Sequence, residues 1–140
     1  MRTTRTTSIA ALVLGGGLLL SGCASGGPSA ADCEELSTAV RDISNGAQNT
    51  LASVSDPAEA ADYFEELQGR VTQLGEDFGG SADVDAALSE LDDALAGAAE
   101  AVASAPVVDP DDEDAEPNDF TAQSSAVQEA AAEVGPACTG

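Results

Sequence analysis

The chain contains no histidine, no lysine and no tryptophan, and each absence removes a class of chemistry. Without histidine, neither a Ser-His-Asp nor a Cys-His arrangement can form. A di-iron carboxylate bundle needs Glu-x-x-His pairs and is excluded as well. Without lysine there is no amine for a Schiff base, and Gly79-Gly80 cannot belong to a phosphate-cradling loop that depends on one. Met1 is the only methionine, which leaves haem without a His or Met ligand from the body of the chain. Aromatics are scarce too: Tyr63, Phe64, Phe78 and Phe120 are the whole set. Three of these fall in apolar seams, and alanine at many other seam positions predicts close helix approach with little cavity. Positive charge is nearly missing, with 4 arginines against 26 acidic residues and a formal net charge of −22. Nucleic acid is therefore excluded as a partner, because affinity there comes from cations on phosphates. An anionic membrane surface would repel the same body. Nor is there a long apolar run: Ile9 to Leu20 is 12 residues, interrupted by Gly15, Gly16 and Gly17. A membrane-spanning helix needs about 20.

The short apolar run has a different meaning. Arg2 and Arg5 precede it and small residues follow it, the three parts of a cleaved secretory signal. The two arginines are not adjacent, which points to the general secretory route rather than the twin-arginine one. Leu20-Ser21-Gly22-Cys23 closes the segment and resembles the bacterial lipobox, L-[AS]-[GA]-C. The resemblance implies cleavage before Cys23, diacylglycerol on its thiol and a protein held at the extracytoplasmic face of the cell membrane. On this reading residues 1–22 are a lipoprotein signal peptide. Residues 23–32 are a flexible tether that includes Ala24, Ser25, Gly26, Gly27, Pro28 and Ser29. Acyl chains contribute about 0.8 kcal/mol per buried CH₂, enough for two or three of them to anchor a domain that does not itself adhere to the bilayer. The plainer alternative is an ordinary secretory signal with an incidental Cys23. The lipobox accounts for a cysteine placed directly after Leu-Ser-Gly.

All 26 acidic residues follow Cys23, with Arg41 and Arg70 as the only cations among them. Lipidation of Cys23 would leave two thiols, Cys33 and Cys138. In an exported domain such a pair reads as one disulfide; two free thiols, or a metal held by two cysteines, are the alternatives.

Between these cysteines the apolar residues recur at alternating spacings of three and four. The seams are Cys33, Leu36, Val40, Ile43, Ala47, Leu51 and Val54; Ala60, Phe64, Leu67, Val71, Leu74 and Phe78; Val84, Leu88, Leu91, Leu95, Ala98 and Val102; and Phe120, Ser124, Val127, Ala131 and Val134. Four such seams predict an all-α, four-helix up-down bundle over residues 33–140. An even helix count returns the C-terminus to the starting end, where a Cys33–Cys138 disulfide would close the bundle. The punctuation agrees. Asp32 with Glu35 and Asp56 with Glu59 have capping-box spacing, and Pro57 suits a first helical position. Gly79-Gly80, Pro106 and Gly135-Pro136 read as stops, Ser81 and Asn118 as caps, and Ser44-Asn45-Gly46 as a kink or break.

Prolines and like charges mark residues 107–119 as an extended acidic loop. Asp109, Asp111, Asp112, Glu113 and Asp114 are candidate ligands for a hard cation such as Ca²⁺. They lack the D-x-[DN]-x-[DN]-G pattern and its pre-formed turn, so weak, unspecific binding is expected, and no cofactor. Glu65, Glu66, Asp92 and Asp93 are nominal acid/base candidates that read better as solvated helix faces. The lipobox, the missing lysine and the Cys33/Cys138 pair together resemble the small, acidic, Ala/Asp-rich lipoproteins of actinobacteria, a likeness of style that carries no assigned activity. The expectation is a non-catalytic envelope lipoprotein that presents an acidic helical surface to another envelope protein. The alternative is a lipoprotein that binds a cation or ligand weakly through loop 107–119.

Overall fold

The computed structural model describes residues 28–108 and 116–139. Cys23, the leader and Asp109 to Asp114 lie outside them. Four helices follow one another in the chain: α1 Ala30–Ala52, α2 Pro57–Phe78, α3 Ala82–Ala103 and α4 Thr121–Thr139. Each packs against its neighbours in sequence, and α4 returns to pack against α1. The result is the up-down bundle that the seams predict. The Cα atoms of Cys33 and Cys138 lie 5.7 Å apart and the two are disulfide-bonded, closing the bundle at the end where it starts.

The seams are the core. Leu36, Ile43, Phe64, Leu67, Leu91, Leu95, Val84, Val102, Val127 and Val134 are fully buried. Val54 and Phe78 are partly buried against this core, as are Ala131 and Ser124 on α4. Ala87 and Pro57 are buried in addition. Among the described residues, every buried core side chain lies between Cys33 and Val134, so the chain from residue 24 onward carries the whole of the described core.

Several local expectations are corrected. Helix α1 starts at Ala30, which shortens the expected 23–32 tether. Its capping box is Ser29 with Asp32, not Asp32 with Glu35: the Ser29 Oγ accepts from the Asp32 backbone N–H at 3.3 Å, and the Ser29 N–H donates to the Asp32 carboxylate at 2.8 Å. At α2, Asp56 accepts from the backbone of Ala58 and Glu59. Ser81 stands at the start of α3 without a side-chain cap. The expected cap Asn118 instead donates to the Pro106 carbonyl, bridging the two ends of the long connection. Asp119 takes its place, accepting from the Thr121 N–H. Helix α4 runs through Pro136 to Thr139 rather than stopping at Gly135-Pro136. The missing proline N–H costs one bond in a last turn, which the disulfide holds and the Thr139 hydroxyl supports by donating to the carbonyls of Gly135 and Pro136.

The caps predict a pH effect. Hydrogen bonds from Ser29 lower the Asp32 carboxyl from its ordinary value, and those from Thr121 lower Asp119. A folded-state pKa below the unfolded one stabilises at neutral pH, and the contribution is lost as pH falls through the folded value. Asp32→Asn should therefore melt lower than the wild type at pH 7, with the two melting temperatures converging below about pH 4. A difference that persists into acid would contradict this.

No break occurs at Ser44-Asn45-Gly46: α1 runs through these residues as one helix. Ser44 is buried and its hydroxyl accepts from Gln48 Nε2 at 3.0 Å. Gly46 is explained by a close approach: a Cβ there would meet the Tyr63 hydroxyl at 2.5 Å, while the ring carbon behind is at an ordinary 3.5 Å. In the middle of a helix, Gly→Ala normally gains about 1 kcal/mol. Gly46→Ala should lose that gain in the wild type and recover it in a Tyr63→Phe background, as read by urea unfolding. Equal gains in both backgrounds would contradict the contact.

Candidate functional site

The bundle has two distinct ends. One carries Cys33, Cys138 and the Gly79-Gly80 turn. Gly80 has φ 106° there, a left-handed conformation that suits glycine. The other carries the α1–α2 turn and the described ends of the 104–120 connection. Asn118, Asp119 and Phe120 come together with Gln48, Leu51 and Ala52 around a shallow depression of about 310 Å³. The acidic connection thus leaves and rejoins the bundle at the end opposite the disulfide. The Ca²⁺ candidates Asp109, Asp111, Asp112, Glu113 and Asp114 fall outside the described residues. Among those described, no cluster of three or more His, Cys, Asp or Glu could hold a metal ion, and no helix is long and apolar enough to cross a membrane.

The nominal acid/base candidates are not gathered into a site. Glu65, Glu66 and Asp93 are exposed and Asp92 is half-buried. Burial raises the Asp92 carboxyl, and the neighbouring Asp93 charge adds to the rise. Asp92 and Asp93 are consecutive on α3 and so project in different directions, since helical neighbours lie three or four residues apart. Tyr63 is half-buried, packs against the core and lies over Gly46, as a residue at the core edge should.

The structure also holds a feature that the sequence reading missed. Alanine-rich seams predict little cavity, yet α1 and α2 leave a cleft of about 360 Å³ between them toward the disulfide end. Of the ring of neighbouring helices, this pair packs the least extensively, and α2 with α3 the most. Buried Ile43 and Leu74 line the cleft with half-buried Ala39 and Phe78, and exposed Glu35, Arg70, Gln73 and Asp77 stand at its edges. Beyond Arg70 the surface continues as a broader depression lined by Ala31, Glu34, Thr38 and Asp42. Glu35 on α1 and Asp77 on α2 face the same cleft, and like charges across a helix pair oppose close packing. The clue in the sequence is the side-chain size along the first seam. Ala39 flanks it and Phe78 ends the second, so a small residue stands beside a large one with nothing else to fill the gap.

Comparisons with protein-family models, with curated proteins and with solved structures find no match for this chain.

Proposed function

We propose that this protein is a non-catalytic cell-envelope lipoprotein, anchored through Cys23 at the extracytoplasmic face of the cell membrane, whose acidic helical body binds another envelope protein. The observation that carries the reading is the Cys33–Cys138 disulfide. A disulfide closing a whole domain fits an oxidising, extracytoplasmic compartment. It also consumes two of the three thiols and leaves the lipobox cysteine as the third. The helix start supports a short tether. From Ala24 to Ser29 the chain reaches roughly 20 Å at full extension, so the disulfide end would stand close to the membrane and the acidic connection would point away. The acidic surface supports a protein partner over nucleic acid or anionic lipid.

Cys23→Ala should move the protein from the membrane fraction to the soluble one. Pull-down of the wild type from solubilised membranes should retain a protein partner through moderate salt. A Cys23→Ala protein that stays in the membrane fraction would overturn the anchor, and the absence of any retained protein would overturn the interaction role.

A further inference from the structure

We infer that the α1–α2 cleft docks a cationic amphipathic helix from a partner protein, a proposal that rests on the interaction role above and gives it a site. The cleft offers the elements of a helix-in-groove mode, a strip of partly exposed apolar surface between charged walls. Ala39 and Phe78 form that strip, and Ile43 and Leu74 lie beneath it, almost wholly covered. The walls carry Glu35 and Asp77, and the adjoining depression adds Glu34 and Asp42. Arg70 is the single cation lining either surface.

Charge selects the occupant. A second copy of this chain would bring another net charge of −22 against an acidic rim. An anionic lipid surface meets the same repulsion, and like-charge juxtaposition opposes association. Lysine or arginine on a partner helix reverses the sign at Glu34, Glu35, Asp42 and Asp77, while its apolar face covers Ala39 and Phe78. Arg70 repels a cation at its own level, so the partner's cations fall on either side of it. That gives the docked helix a register as well as a sign.

The test uses the disulfide-bonded chain from residue 24 onward and a synthetic leucine/lysine peptide with leucine at i, i+3, i+4 and i+7. Its controls are a scrambled peptide of the same composition and a leucine/glutamate version. Amide chemical shifts should move saturably at Glu35, Ala39, Arg70, Leu74 and Phe78, with the patterned lysine peptide binding roughly tenfold tighter than the scrambled one. Ala39→Trp, which fills the cleft, should weaken binding by roughly tenfold with the helical circular dichroism retained. Should the tryptophan disturb folding, the double variant Glu35→Lys, Asp77→Lys at exposed positions should show the same loss. Shifts spread over all four helices, equal binding of patterned and scrambled peptides, or wild-type affinity in a folded variant would overturn the proposal. So would a dimer of the unliganded chain that Ala39→Trp dissociates. The lipoprotein reading fails on different evidence, namely membrane release and partner capture, neither of which depends on this peptide.

Discussion

Replacing Cys33 and Cys138 together by alanine is expected to lower the stability of the bundle by roughly 5 kcal/mol, the chain-entropy value for a loop of this length. The two residues are 105 apart in sequence, so the bond constrains nearly the whole unfolded domain. The effect should concentrate on α4. That helix buries only Val127 and Val134 within its own span, with Phe120 just before it. By contrast, α1 and α3 each bury a full seam. It is also joined to α3 by the longest connection between consecutive helices, residues 104–120. Without the disulfide, α4 amides should lose hydrogen-exchange protection first. Small domains have only about 5–15 kcal/mol in total, so the melting temperature should fall by roughly 20 °C. A shift of only a few degrees, or α4 protection unchanged on reduction, would show that packing alone holds the fourth helix.

Phe64→Ala should cost a comparable amount, about 3–5 kcal/mol. Phe64 is the largest of the fully buried side chains, with 0% of its surface exposed. It sits on the inner face of α2, the helix most extensively packed against α3, so little can move in to fill the space. Phe78 provides the internal comparison. It lies half-buried at the cleft, and Phe78→Ala should cost about 1 kcal/mol, since much of its apolar area is never removed from water. Urea unfolding of the two variants measures the contrast directly. Equal losses would mean that the cleft is closed in solution and that Phe78 belongs to the core.

The bundle was legible because each helix carries its own complete pattern. Leu36, Val40, Ile43, Ala47 and Leu51 recur with helical period, and every one of them is buried. The disulfide was legible from topology, because an even number of antiparallel helices brings Cys33 and Cys138 to one end. The failures have physical causes. Gly46 reads as a weak point when only propensity is considered, and the Tyr63 hydroxyl that requires a glycine arrives from another helix. Pro136 reads as a stop, but tertiary restraint at Cys138 carries the helix past it. Asp32 reads as a cap paired with Glu35 and is instead the partner of the Ser29 cap. Ser29-x-x-Asp32 and Asp32-x-x-Glu35 have the same spacing, and only the chain direction at Ser29 separates them. The cleft was the hardest feature to foresee. It depends on how far two helices diverge, and periodicity determines which faces meet but not how closely.

Peptide mass mapping of the non-reduced protein isolated from membranes is the most direct test of the account. The predicted result is an N-terminal peptide beginning at Cys23 with diacylglycerol on its sulfur, together with a linked pair containing Cys33 and Cys138. A mature N-terminus elsewhere, an unmodified Cys23, or alkylatable thiols at Cys33 and Cys138 would contradict it.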